Sequence, residues 1–173
     1  MKFFSGFSLV NESYLFKKYI KKNDYTVCGF SYGAIKAYEY VKEQLACGNR
    51  VDTLQLLSPA FFQTKDTKFK RLQLMSYKKN EILYLQSFVN SCFSPYENKI
   101  IEHENTTAKE LEELLNYTWD LSALKELESK GVVIEVYLAG NDAIVDVVGA
   151  KELFLEVSTV TYIKNANHFL QID

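Results

Sequence analysis

A chain of 173 residues, 47% hydrophobic and 24% charged, has the apolar content of one globular domain and gives no reason to expect two. Its formal net charge of -2 argues against a nucleic-acid partner, whose phosphates call for a basic face. Cys28, Cys47 and Cys92 are far apart, and with only two histidines they make neither a disulfide framework nor a zinc-type cluster, so no metal or other cofactor is expected.

The opening "MKFFSGFSLV" has one lysine and an apolar run, as a secretion signal does. The run is short, Ser5 and Gly6 break it, and no small-residue cleavage site follows. No stretch reaches the length of a bilayer span. The expectation is a soluble, cytoplasmic protein without a membrane partner.

In chain order, Lys2–Phe4 reads as a strand, and Glu12–Lys22 as a helix with Tyr14, Leu15, Tyr19 and Ile20 at helical spacing. Tyr25–Cys28 is a short run of β-formers. Tyr32–Ala46 reads as a helix with Gly48 just beyond its end. Val51–Ser58 reads as a strand stopped by Pro59. From residue 62 to residue 118 the pattern changes, and no strand is expected. "FKRLQLMSY" and "EILYLQSFVNSCF" look helical, and "TAKELEELLNY" pairs Thr107 with Glu110 as a capping box does. This block reads as a helical lid inserted in the domain. Leu121–Lys130 then reads as a helix closed by Gly131, Val132–Ala139 as a strand, Val148–Val157 as a helix and Thr159–Ile163 as the last strand. Strands alternating with helices imply an α/β fold, with a mainly parallel sheet and helices on both faces.

Within that frame "CGFSYGA" (Cys28–Ala34) lies where a strand gives way to a helix. Gly29 and Gly33 flank Ser31 in a Gly-x-Ser-x-Gly pentapeptide, whose tight turn leaves little room for side chains. Such a turn raises the serine hydroxyl above the carboxyl ends of the strands. The Tyr32 N–H, at the positive end of the helix, then faces a developing oxyanion. A serine needs a base. His103 in "IIEHEN" sits between two glutamates in the inserted block, where a solvated role is expected. His168 in "NANHF" follows the last strand, on the loop where a parallel-sheet enzyme carries its chemistry. Two carboxylates in "AGNDAIVD" are candidates to orient it: Asp142 in the turn after Gly140, and Asp146, whose place suits an N-cap for the next helix. Asp142 is favoured, with Asp146 as the alternative.

"GFSYG", "AGNDAIVD" and "NHF" together resemble the α/β-hydrolase superfamily in order and spacing. The resemblance implies a Ser31–His168–Asp142 triad. It also implies that "FFSGF" carries the second oxyanion donor, the Phe7 N–H, with Ser5 in place of the usual histidine. Asn167 stands where that family usually has glycine. "FFSGF" near the start and "LLSPAFF" look closer still to the small esterases of the BioG and BioV type, which cleave the methyl ester of pimeloyl-acyl carrier protein in biotin synthesis. That resemblance implies an acyl carrier protein bearing a pimeloyl methyl ester as partner. "ILYLQSF" is then similar to an acyl-channel segment, with Ile82, Leu83, Leu85 and Gln86 as its candidates. Between residues 65 and 79 only Asp66 opposes Lys65, Lys68, Lys70, Arg71, Lys78 and Lys79. Lys68, Lys70, Arg71, Lys78 and Lys79 are candidates for docking the acidic carrier. A general small-acyl carboxylesterase or thioesterase is the alternative, and a non-catalytic binding scaffold a third reading.

Overall fold

The computed structural model describes all residues, 1–173. Strands β1 (Lys2–Phe4), β3 (Thr26–Phe30), β4 (Thr53–Leu57), β6 (Val133–Ala139) and β7 (Thr159–Ile163) form one sheet in the order β1-β3-β4-β6-β7, and each neighbouring pair is parallel. Their side chains alternate between two apolar layers. Val27, Leu54, Leu56, Ile134, Val136 and Leu138 face one layer; Cys28, Phe30, Leu57 and Ala139 face the other.

Helices α1 (Tyr32–Ala46), α5 (Leu121–Ser129) and α6 (Val147–Phe154) cover the first face, through residues such as Val41, Leu124 and Phe154. The second face is closed more thinly. A 3-10 helix (Glu12–Phe16), the end of α3 (Glu81–Phe93) and the last residues bring Phe16, Phe93 and Phe169 around Phe30. The Phe30 ring lies 4.7 Å from Phe16 and 5.0 Å from Phe169, and all four rings are fully buried. Each such ring contributes on the order of 2 kcal/mol of burial energy.

Between β4 and α5 the chain leaves the sheet for α2 (Thr67–Lys79), α3, a two-residue strand β5 (Glu102–His103) and α4 (Ala108–Asn116). Each helix of this insertion starts on a side-chain cap: Asp66 accepts the Phe69 N–H, Asn80 the Leu83 N–H, and Thr107 the Glu110 N–H with the reciprocal bond of a capping box. Here β5 pairs antiparallel with β2 (Leu9–Val10), so the inserted block does contain a strand. Two residues are too few to show a period.

The helix expected over Glu12–Lys22 is also different. Only Glu12–Phe16 is helical. Beyond it, the buried Gln55 side chain accepts the Lys21 N–H (2.8 Å) and donates to the Tyr19 carbonyl (3.1 Å). One glutamine on β4 thus satisfies backbone groups that a helix would have paired internally. The end of α1 follows expectation: Gly48, at φ 77, closes it with Gly48 N–H to Leu45 O and Asn49 N–H to Gln44 O. Cys47 beside it is exposed, whereas Cys28 and Cys92 are buried. No helix is long and apolar enough to cross a membrane.

Candidate active site

Because the five strands are parallel, their carboxyl ends share one edge of the sheet. Ser31 follows β3 there, with φ 53 and ψ -115, a conformation that L-residues adopt only under strain. The surroundings hold it. The Ser31 N–H donates to the Leu57 carbonyl (3.0 Å), and the Ser31 carbonyl accepts the N–H groups of Ala34 (3.0 Å) and Ala60 (3.1 Å). The flanking glycines allow the backbone to close in. A Cβ on Gly29 would lie 2.2 Å from the Gly33 carbonyl oxygen, and one on Gly33 would lie 2.1 Å from that of Phe4.

His168 comes from the loop after β7. That loop is tied to the one after β6: Gly140 N–H to Ile163 O (2.9 Å) and Asn141 N–H to Ala166 O (2.8 Å). The two loops bring three side chains into a chain of hydrogen bonds. His168 Nε2 is 3.0 Å from Ser31 Oγ, and His168 Nδ1 is 2.6 Å from Asp142 Oδ2. Both the imidazole and the Asp142 carboxylate are at most 1% exposed. The second Asp142 oxygen accepts the N–H groups of Ile144 (2.8 Å) and Val145 (3.2 Å). An ionised Asp142 can only accept, so Nδ1 carries the ring proton and Nε2 is left to accept the Ser31 hydroxyl. This arrangement can move a proton from serine to histidine.

Asp146 is engaged elsewhere. It caps α6 through the Gly149 N–H (3.2 Å) and accepts the Thr64 hydroxyl (2.6 Å). The Thr64 bond holds its carboxyl below the ordinary value against the upward push of burial, and the Gly149 N–H adds a lesser pull in the same direction as Thr64. His103 lies on β5, exposed, with Nδ1 3.1 Å from the Ser8 carbonyl.

The Tyr32 N–H opens α1 and has no carbonyl a turn earlier in the helix to bond. The Phe7 N–H has no acceptor in the chain. The Phe7 ring is buried against those of Tyr32 (6.2 Å), Tyr77 (6.1 Å) and Phe88 (6.3 Å). Next to it, Gly6 donates its N–H to Glu12 Oε1 (2.8 Å), and Glu12 Oε2 has no partner. Burial, helped a little by nearby Glu104, pushes the Glu12 carboxyl up, and the Gly6 N–H, its own N–H and the Ser5 hydroxyl pull it only part of the way back.

A cavity of about 690 Å³ opens between the insertion and these loops. Phe7, Phe88 and Ile144 line it near the site, and Gln73, Ser76 and Lys79 line it on the α2 side. Of the channel candidates only Leu83 is in its wall. Ile82 is 77% exposed, Gln86 is exposed, and Leu85 packs half-buried on the core. The wall of α3 is the stripe Leu83, Tyr84, Ser87, Phe88 and Ser91, whose three- and four-residue spacing is visible in the sequence once a helix is assumed. On α2, about 100° per residue places Lys68, Arg71, Lys78 and Lys79 on one exposed face. Lys70 is half-buried on another side and does not join them. None of the five pairs with a carboxylate, and exposed Leu72 and Met75 lie among the four.

Asn167, unremarked by sequence beyond its unusual place, is a buried clamp. Its Nδ2 donates to the Phe93 carbonyl (2.7 Å) and to Gln171 Oε1 (3.1 Å), and its Oδ1 accepts the Gln171 N–H (3.1 Å). The histidine loop is thereby fixed to the end of α3.

No protein-family model matches the sequence, and no curated protein matches it. Solved structures do match in shape. A hydrolase from Oleispira antarctica superposes with a TM-score of 0.66 at 12% identity, over 85% of this chain and 59% of that one. An N-acyl homoserine lactone degrading enzyme gives 0.56 at 13%, over 85% and 61%. The naproxen esterase of Bacillus subtilis gives 0.52 at 18%, over 85% and 54%. The fold is that of the α/β-hydrolases. The chain spans between 54% and 61% of the length of these three proteins. Ser31 stands at a strand-to-helix turn of that fold, and Asp142 and His168 come after it in the chain.

Proposed function

We propose that the protein is a serine carboxylesterase. The observation that carries this reading is the buried Ser31–His168–Asp142 hydrogen-bond chain, 3.0 and 2.6 Å, on a strained elbow. Ser31 Oγ attacks the ester carbonyl while His168 Nε2 takes its proton. The tetrahedral oxyanion is held by the N–H groups of Phe7 and Tyr32, each such donor being worth about 10²–10³ in rate. His168 then protonates the departing alcohol, leaving an acyl-serine. Water attacks the acyl carbon as its proton passes to His168, and His168 returns that proton to Ser31 Oγ as the acid leaves. Asp142 keeps the ring oriented and stabilises the imidazolium throughout.

The preferred substrate in this reading is the methyl ester of pimeloyl-acyl carrier protein, hydrolysed to methanol and a free ω-carboxylate in biotin synthesis, in the cytoplasm. Two features support it beyond the sequence resemblance. The cavity has the size of a small-molecule site, and its largely apolar wall includes Phe7 and the two residues that follow Asp142, Ala143 and Ile144. The basic and apolar face of α2 suits an acidic carrier, which would fix the end of the acyl chain that reaches Ser31 and so spare the thioester.

The test is a mass measurement on the carrier-bound ester, with Ser31→Ala beside the wild type. Loss of one methyl group with the thioester intact, in the wild type alone, is expected. An untouched carrier ester beside rapid cleavage of p-nitrophenyl butyrate would leave a general small-acyl carboxylesterase. Cleavage of neither, with no labelling of Ser31 by a phosphonate, would overturn the esterase reading.

A further inference from the structure

We propose that Glu12 is a positioning residue that aims the Phe7 N–H at the acyl oxygen. The inference rests on the esterase reading, in which that N–H is an oxyanion donor. Gly6 is held on both sides: its N–H donates to Glu12 Oε1 (2.8 Å), and its carbonyl accepts the Leu9 N–H (3.2 Å). In the trans peptide between Gly6 and Phe7 the N–H points opposite to the carbonyl. Fixing the Gly6 carbonyl toward Leu9 therefore turns the Phe7 N–H the other way.

The turn is wedged against Phe30, just before Ser31, and against Gly33, two residues after it. A Cβ on Gly6 would lie 2.9 Å from the Phe30 ring, and one on Gly33 would lie 2.4 Å from the Ser5 carbonyl oxygen. Asn11, at φ 67, reverses the chain, and Glu12 on the following 3-10 helix reaches back to Gly6. The arrangement is costly for the fold alone. Glu12 is fully buried, and its second oxygen has no partner. A neutral side chain of the same length would spare that desolvation. Glu12 touches no reacting atom, so its effect passes through the turn.

The test compares Glu12→Gln, Glu12→Asp and Glu12→Met with the wild type on p-nitrophenyl butyrate. Gln keeps an acceptor at the same reach, and its kcat is expected within about threefold of wild type. Asp withdraws the acceptor by one methylene but keeps the charge; Met removes it. Both are expected to lower kcat roughly 10–100-fold, below the full loss of a donor, with KM within about twofold. In phosphonate adducts at Ser31, the Phe7 amide proton resonance is expected downfield in wild type and Gln, and not in Asp or Met. If Met fails to fold, the Gln and Asp pair decides. Wild-type kcat in Asp, or equal kcat losses in Gln and Asp, overturns the proposal and leaves the esterase reading standing. A wild type without turnover or labelling overturns both.

Discussion

One methyl group on Gly33 would enter the space of two carbonyl oxygens, at 2.1 Å from Phe4 and 2.4 Å from Ser5. Backbone cannot yield as a flexible side chain does. Gly33→Ala is expected to lower the unfolding free energy in urea by about 2 kcal/mol or more, the cost of overpacking a rigid site, and to cut kcat/KM at least about 100-fold. Denaturation and ester hydrolysis on the same preparation check both. Glu12 supplies a pH signature at the same scale. Its folded carboxyl is raised above the ordinary 4.5, so the native state keeps a proton that the unfolded chain has released. Its burden on stability is absent below 4.5 and grows as pH rises through the raised folded value. Relative to wild type, Glu12→Gln should therefore gain stability as pH goes from 4.5 toward 8. Urea midpoints across that range measure it, and a constant gap would show that Glu12 titrates as in the unfolded chain.

At the scale of elements, β1, α1 and β7 lie where the pattern places them, because each carries its own signal: β-forming runs for the strands, and an apolar stripe ending at Gly48 for the helix. The capping box of α4 was equally readable, since Thr107 and Glu110 act over three residues. What escaped was long-range. The helix after Glu12 is cut short by Gln55, 34 residues beyond Lys21, and no local pattern announces that competition. Gln55→Leu is expected to cost about 2–3 kcal/mol, because two buried backbone groups lose their partner, with little change in kcat. The face of α3 escaped for another reason. An apolar run shows that a helix is buried on some side, and only the neighbours decide which side meets a cavity. Ser87→Trp, which fills the cavity wall, should lower kcat/KM for p-nitrophenyl octanoate about tenfold more than for the acetate. Gln86→Trp, on the exposed side, should leave that ratio alone.

For the molecule as a whole, the order of Ser31, Asp142 and His168 along the chain was legible from motifs, but their meeting depends on the sheet. The loops after β3, β6 and β7 converge only because the strands are parallel, and Asn141 and Gly140 then lock two of them together. The charge of the surface is distributed as unevenly as its chemistry. Lys68, Arg71 and Lys78 share one face of α2, and changing all three to Glu should raise KM for a carrier-bound ester at least about tenfold while sparing p-nitrophenyl butyrate. Higher salt should narrow that difference. Equal losses on both substrates would remove the docking role from α2.

Cys47 stands at the opposite pole. It ends α1, which begins beside Ser31 and runs about 22 Å to the amino ends of the strands. The other two thiols are buried. A maleimide should thus find a single site on the native protein and leave hydrolysis unchanged. Tethered to a surface or a dye through that sulfur, every molecule would present its serine outward.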